Sequence, residues 1–369
     1  TAKRDKRIEE LELERPDLVQ QLEEEKEAVK VLSQVLTSGP WPGIGTGDLD
    51  LYKIFAWRNW QLLRKSGSAG LVLPRGALAA AGTAEWRRTI ISEGTFEDVC
   101  FLINTGNWVF DEVHGQYSVA LCVVSKGSGT HVRFAGPFQS EKELLTGREA
   151  LTVASKEEFA SWSQNCSFPQ LASPASGVCM QKMLKSPSFN ETEGFEFRPI
   201  AELHATGDRD KYDLDLSRID LDIPVLTGAS FNLWNPDHGD PYGKADSESL
   251  FAHLLSKAQR TTRLSSSAFF EMNVKSLEDH PISKSRIAFR DVTNPTNSRT
   301  AIVCLLPPGV TFVHKAPYLL RRMGDEQDEA YLLGILSSVP FDWYSRRWVE
   351  LSLAFYILSL TPIPRPTRD

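Results

Sequence analysis

The chain has five cysteines but no Cys-x-x-Cys pair, which excludes a zinc ribbon and leaves no paired disulfide framework to read. Its seven histidines form no His-x-x-x-His or Cys–His spacing, so neither a metal centre nor a nucleophilic triad is indicated. No apolar run approaches the roughly 18 residues that a bilayer crossing needs. The longest lies near Leu351 to Leu360, and no apolar leader core follows the charged opening Lys3 to Arg7. We expect a protein with no membrane contact. Cys100, Cys122 and Cys304 lie in apolar runs and are expected to be buried and reduced, which suits a cytoplasmic setting.

Positive charge is also scarce. Lys and Arg number 41 against 48 Asp and Glu, a net charge of −7, so the chain as a whole is no basic nucleic-acid coat. Phosphate binding depends on where cations cluster, however, and one stretch is locally basic: Lys257, Arg260, Arg263, Lys275, Lys284, Arg286, Arg290 and Arg299.

What is present is enough for more than one core, since 369 residues is long for a single domain. The most organised stretch runs from Gly47 to Lys126. Leu51, Ile54, Phe55, Leu62 and Leu63 fall on one helical face. Gly67 stops that helix, and Ala69 to Leu73 read as a short strand covered on both faces. After a second helical segment, Phe96 to Ile103 and Tyr117 to Val124 are β-rich, with Phe110 in the loop between them.

These pieces, in this order, resemble the later half of the catalytic domain of gamma-class, adenine-specific DNA methyltransferases, TaqI-like and of the type IIG and IIL restriction–modification group. Asp50-Leu51-Tyr52 with Ile54-Phe55, then Gly70-Leu71-Val72-Leu73-Pro74, then Val109-Phe110 before Tyr117 to Lys126, are similar to the family's fifth, sixth and eighth motifs. Further on, Phe195 to Pro199, Ile223 to Gly228, and Ser285 to Asp291 running to Asn297-Ser298-Arg299-Thr300 resemble its target-recognition domain. So does the close of the chain, with Phe341-Asp342-Trp343, Arg346-Arg347 and the Pro-rich Thr361 to Pro366.

The resemblance implies an α/β fold: the second half of a Rossmann-like AdoMet-dependent methyltransferase domain, followed by an α+β target-recognition domain. The expected boundaries are a helical segment over 1–40, the catalytic half over 41–150 and the recognition domain over 151–369. In the family the glycine-rich AdoMet loop and the Asn-Pro-Pro-aromatic motif precede the Leu51 helix. Neither occurs here, so the chain is expected to need that half, or a partner chain carrying it, and to be inactive alone.

The implied chemistry is methyl transfer from S-adenosyl-L-methionine to the exocyclic nitrogen of adenine in double-stranded DNA. That atom is buried in the duplex, so the base must be extruded and held by stacking. Phe110 occupies the stacking position; its structural alternative is a hairpin core residue. Tyr52 is a second pocket candidate, set against a packing role on an apolar helix. For DNA contacts the candidates are Lys284, Arg286, Arg290, Asn297 and Arg299, with Lys257, Arg260 and Arg263 as a phosphate-facing rim. Solvated arginines and a turn-capping Asn297 are the competing roles.

Three lookalikes are set aside. Gly43-x-Gly45-x-Gly47 has no strand before it, so its N–H groups would not be aimed at a phosphate. Pro16-Asp17 with Glu24-x-Lys26 mimics a nuclease signature but lies in the helical pattern of Leu18, Leu22, Val29, Leu32 and Leu36, read as a surface helix packed on its own domain. The alternation at Asp213 to Leu216 and Asp220 to Ile223 is that of an exposed-edge strand or a solvated loop rather than a metal site. Two other functions fit the same residues: a non-enzymatic DNA-specificity or regulatory subunit that partners a separate methyltransferase chain, and a protein-interaction module built on the acidic N-terminal helix.

Overall fold

A computed structural model describes residues 2–115, 117–127 and 129–364; Arg365 and Pro366 of the Pro-rich close lie outside the described residues. The described residues form a mixed α/β fold with three sheets, and the chain divides into two compact units, Thr1–Pro174 and Ala175–Asp369.

The first unit opens with helices α1 (Ala2–Glu14) and α2 (Pro16–Thr37). Pro16 stands in the first turn of α2, where its missing N–H costs nothing. The expected packing of α2 is not found. It buries no residue, and Leu18, Leu22, Val29 and Leu32 remain exposed along it. Ion pairs one turn apart, Lys26 to Glu23 and Lys30 to Glu27, lie along the helix.

Helix α3 (Leu51–Leu62) leads into β1 (Ser68–Pro74), α4 (Gly76–Ala79), α5 (Ala84–Glu93), β2 (Gly94–Ile103), β3 (Ser118–Lys126), β4 (His131–Phe138), α6 (Glu141–Gly147), β5 (Thr152–Ser155) and α7 (Lys156–Trp162). The strands lie in the order β1-β3-β2-β4-β5. β3 runs antiparallel to both β1 and β2, which makes those two parallel to each other, and β2 is parallel to β4. Gly94 lets β2 come this close to β3, because a Cβ there would meet the Ser125 carbonyl oxygen at 2.0 Å.

One face of the sheet is an aromatic core. Phe168 packs at a tilt against Phe159 at 4.4 Å and edge-on against Phe96 at 4.9 Å and Phe134 at 5.5 Å. Trp86 of α5 is fully buried and donates its indole N–H to the Ala56 carbonyl of α3 at 3.1 Å. Arg87 is fully buried too, and its guanidinium gathers the carbonyls of Ala77, Ala80, Asn165 and Cys166. Residues 151–174 therefore belong with the first unit rather than the second, since β5 pairs with β4 and Phe159, Trp162 and Phe168 complete the aromatic core.

Two readings of this block are corrected. The buried face of α3 is Lys53, Ile54, Ala56, Trp57 and Trp60, while Leu51, Phe55 and Leu62 are exposed. β1 is not covered on both faces: it is an edge strand, and Val72 is 62% exposed.

The second unit begins with helix α8 (Pro174–Met183). Strands β6 (Glu196–Ile200), β9 (Arg286–Phe289), β10 (Val303–Leu306) and β12 (Tyr318–Met323) form an antiparallel sheet in the order β10-β9-β12-β6. A smaller sheet, β11-β7-β8, is made of β7 (Ile223–Leu226), β8 (Gly243–Ala245) and β11 (Thr311–Phe312). Helix α9 (Ser247–Thr261) buries Leu250, Leu254 and Ala258, as its apolar spacing requires. Helices α10 (Glu326–Ser337), α11 (Val339–Trp348) and α12 (Phe355–Ser359) close the chain.

Candidate functional site

The loop after β2 is built around one side chain. Asn104 is fully buried and follows the last residue of the strand. Its Oδ1 accepts the backbone N–H groups of Val109 and Phe110, both at 3.0 Å, and its Nδ2 donates to the carbonyls of Phe110 at 2.9 Å and Val113 at 2.7 Å. Four bonds from a buried amide hold the loop backbone without help from the Phe110 ring. Phe110 as a residue is left 42% exposed. Trp108 folds the other way, donating Nε1–H to the Ile103 carbonyl at 2.8 Å.

Tyr52 reaches the same end of the sheet. Its hydroxyl oxygen lies 3.1 Å from where a Cβ on Gly76 would stand, so glycine makes room for it just past β1. The residues that follow β1 and β2 flank the start of β3: Arg75 N–H donates to the Ser118 carbonyl at 3.0 Å and Asn104 N–H to that of Tyr117 at 3.1 Å. Tyr52 and the Phe110 loop thus share the end of the sheet where β1 and β2 finish. Sequence reasoning singled out the two aromatics and not Asn104, although an Asn closing an apolar strand before Thr-Gly-Asn is a legible turn signal.

The basic candidates divide by what their side chains already hold. Arg286 is corrected: it is 2% exposed, pairs with buried Glu202 at 3.1 Å, donates to the Val310 carbonyl and lies 4.6 Å from the Phe312 ring centre. A guanidinium so enclosed is core structure and offers nothing to a duplex. Arg290 is half-buried and ties the Gly228 and Phe231 carbonyls at 2.6 and 3.0 Å. Arg299 caps the end of α10 through the Ser337 carbonyl. Lys257 bonds the Glu202 carbonyl at 2.6 Å and Asp208 at 3.0 Å. Lys284, Arg260, Arg263 and Asn297 are exposed; of these Arg260 donates back to the Ser256 carbonyl at 3.3 Å and Asn297 lies 3.5 Å from Thr293 Oγ1.

The acidic alternation is organised by Arg218, which pairs with Asp213 at 3.1 Å and with Asp220. No group of three metal-ligating side chains occurs among the described residues, and no described helix is long and apolar enough to cross a membrane. Gly43, Gly45 and Gly47 lie between α2 and α3 with no strand before them, and a Cβ at Gly43 would touch Glu85 at 3.4 Å. That acidic, helix-flanked turn does not fit a nucleotide or AdoMet cradle.

No family model matches the chain, and no curated protein matches it. Among solved structures it is similar to restriction–modification enzymes. With the type IIG restriction endonuclease BpuSI the identity is 13% and the TM-score 0.34, over 90% of this chain and 44% of that one. With the type IIL enzyme MmeI in complex with DNA the values are 10% and 0.47, over 86% and 42%. For DrdV in its DNA complex they are 11% and 0.36, over 90% and 40%. The chain spans less than half the length of each, and likenesses this distant carry no argument about its activity.

Proposed function

We propose that the chain supplies the later catalytic motifs and the recognition domain of a DNA adenine-N6 methyltransferase in a restriction–modification or phage-defence system. Phe110 carries this reading. An exposed aromatic ring on a backbone locked by a buried amide is a preorganised stacking face, the chemistry an extruded base requires. Tyr52 borders the same end of the sheet. Lys284, Arg260 and Arg263 are the exposed candidates for meeting phosphates, and Asn297 is exposed where a base edge could be read.

The AdoMet loop and the Asn-Pro-Pro-aromatic segment belong, in this reading, to a preceding half or a partner chain. Uncharged edge strand β1, with exposed Leu51, Phe55 and Leu62 on the neighbouring helix α3, is where that half continues the sheet.

The test uses the full-length gene product in a methylation-deficient host, with genomic N6-methyladenine mapped by sequencing. Site-specific methylation is expected, lost in Phe110→Ala and retained in Phe110→Tyr. Sequence-specific duplex binding without any methyl transfer would instead make the protein a specificity subunit. Methylation that Phe110→Ala leaves unchanged would remove the stacking role.

A further inference from the structure

Between α9 and the antiparallel sheet of the second unit lies a cavity of about 360 Å³, within the size range of small-molecule sites. Its walls are largely apolar, with Leu254 and Ala258 of α9, Ile200 of β6, and Leu264 and Phe355 around them. One polar group stands out. His280 lines the cavity, is 2% exposed, and stacks on Phe269 with ring centres 5.7 Å apart. Its Nδ1 accepts the Ile282 N–H at 3.2 Å, which makes Nε2 the hydrogen-bearing nitrogen of the neutral ring. No described residue accepts that hydrogen. Burial, with Arg286 nearby, holds the imidazole below its ordinary pKa against the pull of Glu202, so at neutral pH it is an uncharged donor.

We infer that this cavity is a binding site for a small, uncharged, mostly apolar molecule bearing a carbonyl oxygen, which accepts the Nε2–H of His280. An uncharged ligand fits because the two charged residues of the lining are already engaged, Lys257 by Asp208 and Glu202 by Arg286, which leaves no free charge for an anion. A cationic ligand would find that carboxylate already held by Arg286, Thr311 and the Phe312 N–H. Thr261, Ser266, Ser267 and Tyr318 add hydroxyls, but most of the remaining wall is hydrocarbon, which favours a ring or short chain behind the carbonyl. The site is independent of the methyltransferase reading.

The probe is acetophenone, with ethylbenzene as its carbonyl-free counterpart, titrated into the full chain and followed by ligand-observed NMR and thermal shift. Acetophenone is expected to bind saturably and roughly three- to tenfold more tightly than ethylbenzene, the worth of one neutral hydrogen bond. His280→Phe keeps a ring over Phe269 and removes the donor, so it should abolish that preference while ethylbenzene affinity stays. If His280→Phe does not fold, Ser266→Trp, at an exposed position on the cavity wall, should block both probes without a change in Tm. No saturable binding, or binding that a folded Ser266→Trp leaves intact, means the cavity holds only solvent and overturns the inference.

Discussion

Asn104 holds Phe110 by its main chain at both ends of one residue, taking the N–H at 3.0 Å and giving to the carbonyl at 2.9 Å. Ring and backbone are therefore separable by mutation. Asn104→Ala should cost about 1–3 kcal/mol, since it leaves buried loop groups unpaired, and should loosen the loop. Phe110→Ala should stay within about 1 kcal/mol of wild type, because the ring is largely outside the core. Denaturant unfolding measures both, and 2-aminopurine fluorescence in a bound duplex reports whether the ring meets the base.

A second pair separates structure from DNA contact. Arg286→Ala strands Glu202 without its partner in the interior and should destabilise the second unit by about 3–5 kcal/mol. Lys284→Ala, at an exposed position, should leave stability within roughly 0.5 kcal/mol. If Lys284 meets a phosphate, the salt slope of duplex binding should fall by about 0.9. Binding titrations across a salt series decide it.

Acid should act on Asp208. Burial alone would raise this carboxyl, but the His204 N–H, the Lys257 ammonium and His253 outweigh it and hold it below the usual carboxylate range. A depressed folded pKa contributes stability above the unfolded value, about 4, and loses it as pH falls through the folded one. Asp208→Asn should therefore lower Tm at pH 7, with the gap to wild type closing below about pH 4. A constant gap down to pH 2 would remove the electrostatic account.

The cysteines give a labelling pattern. Cys179 is exposed, whereas Cys100, Cys122, Cys166 and Cys304 are buried. Burial, with the Asp98 carboxylate beside it, pushes the Cys100 thiol up to about 12, and burial raises Cys122 further. Because the thiolate is the reactive form, iodoacetamide at pH 8 should modify Cys179 first and the others only on unfolding. Peptide mass mapping over time reads the order.

These residues also show where a sequence stops being informative. The strands β1, β2 and β3 were legible because apolar runs bounded by Gly and polar turns have few other solutions. Their spatial order was not, since nothing local tells β3 to insert between its predecessors. The face of α3 was misread because periodicity counts Leu51 and Phe55 as core and cannot count Lys53, whose ammonium is buried against the Thr46 and Asp48 carbonyls. Arginine is the hardest case. Arg286 and Arg263 look alike in a string of letters, yet one lies among aromatic rings and the other is exposed. Only the placement of Glu202, far upstream in the chain, separates them.

The place of β3 has a consequence for synthesis. β1 ends at Pro74 and β2 at Ile103, but β1 pairs with a strand that begins at Ser118, and β2 with that strand and the still later β4. A ribosome therefore releases two sticky segments before the one that can zip them together. That interval is when a nascent chain is most exposed to aggregation and most in need of a chaperone.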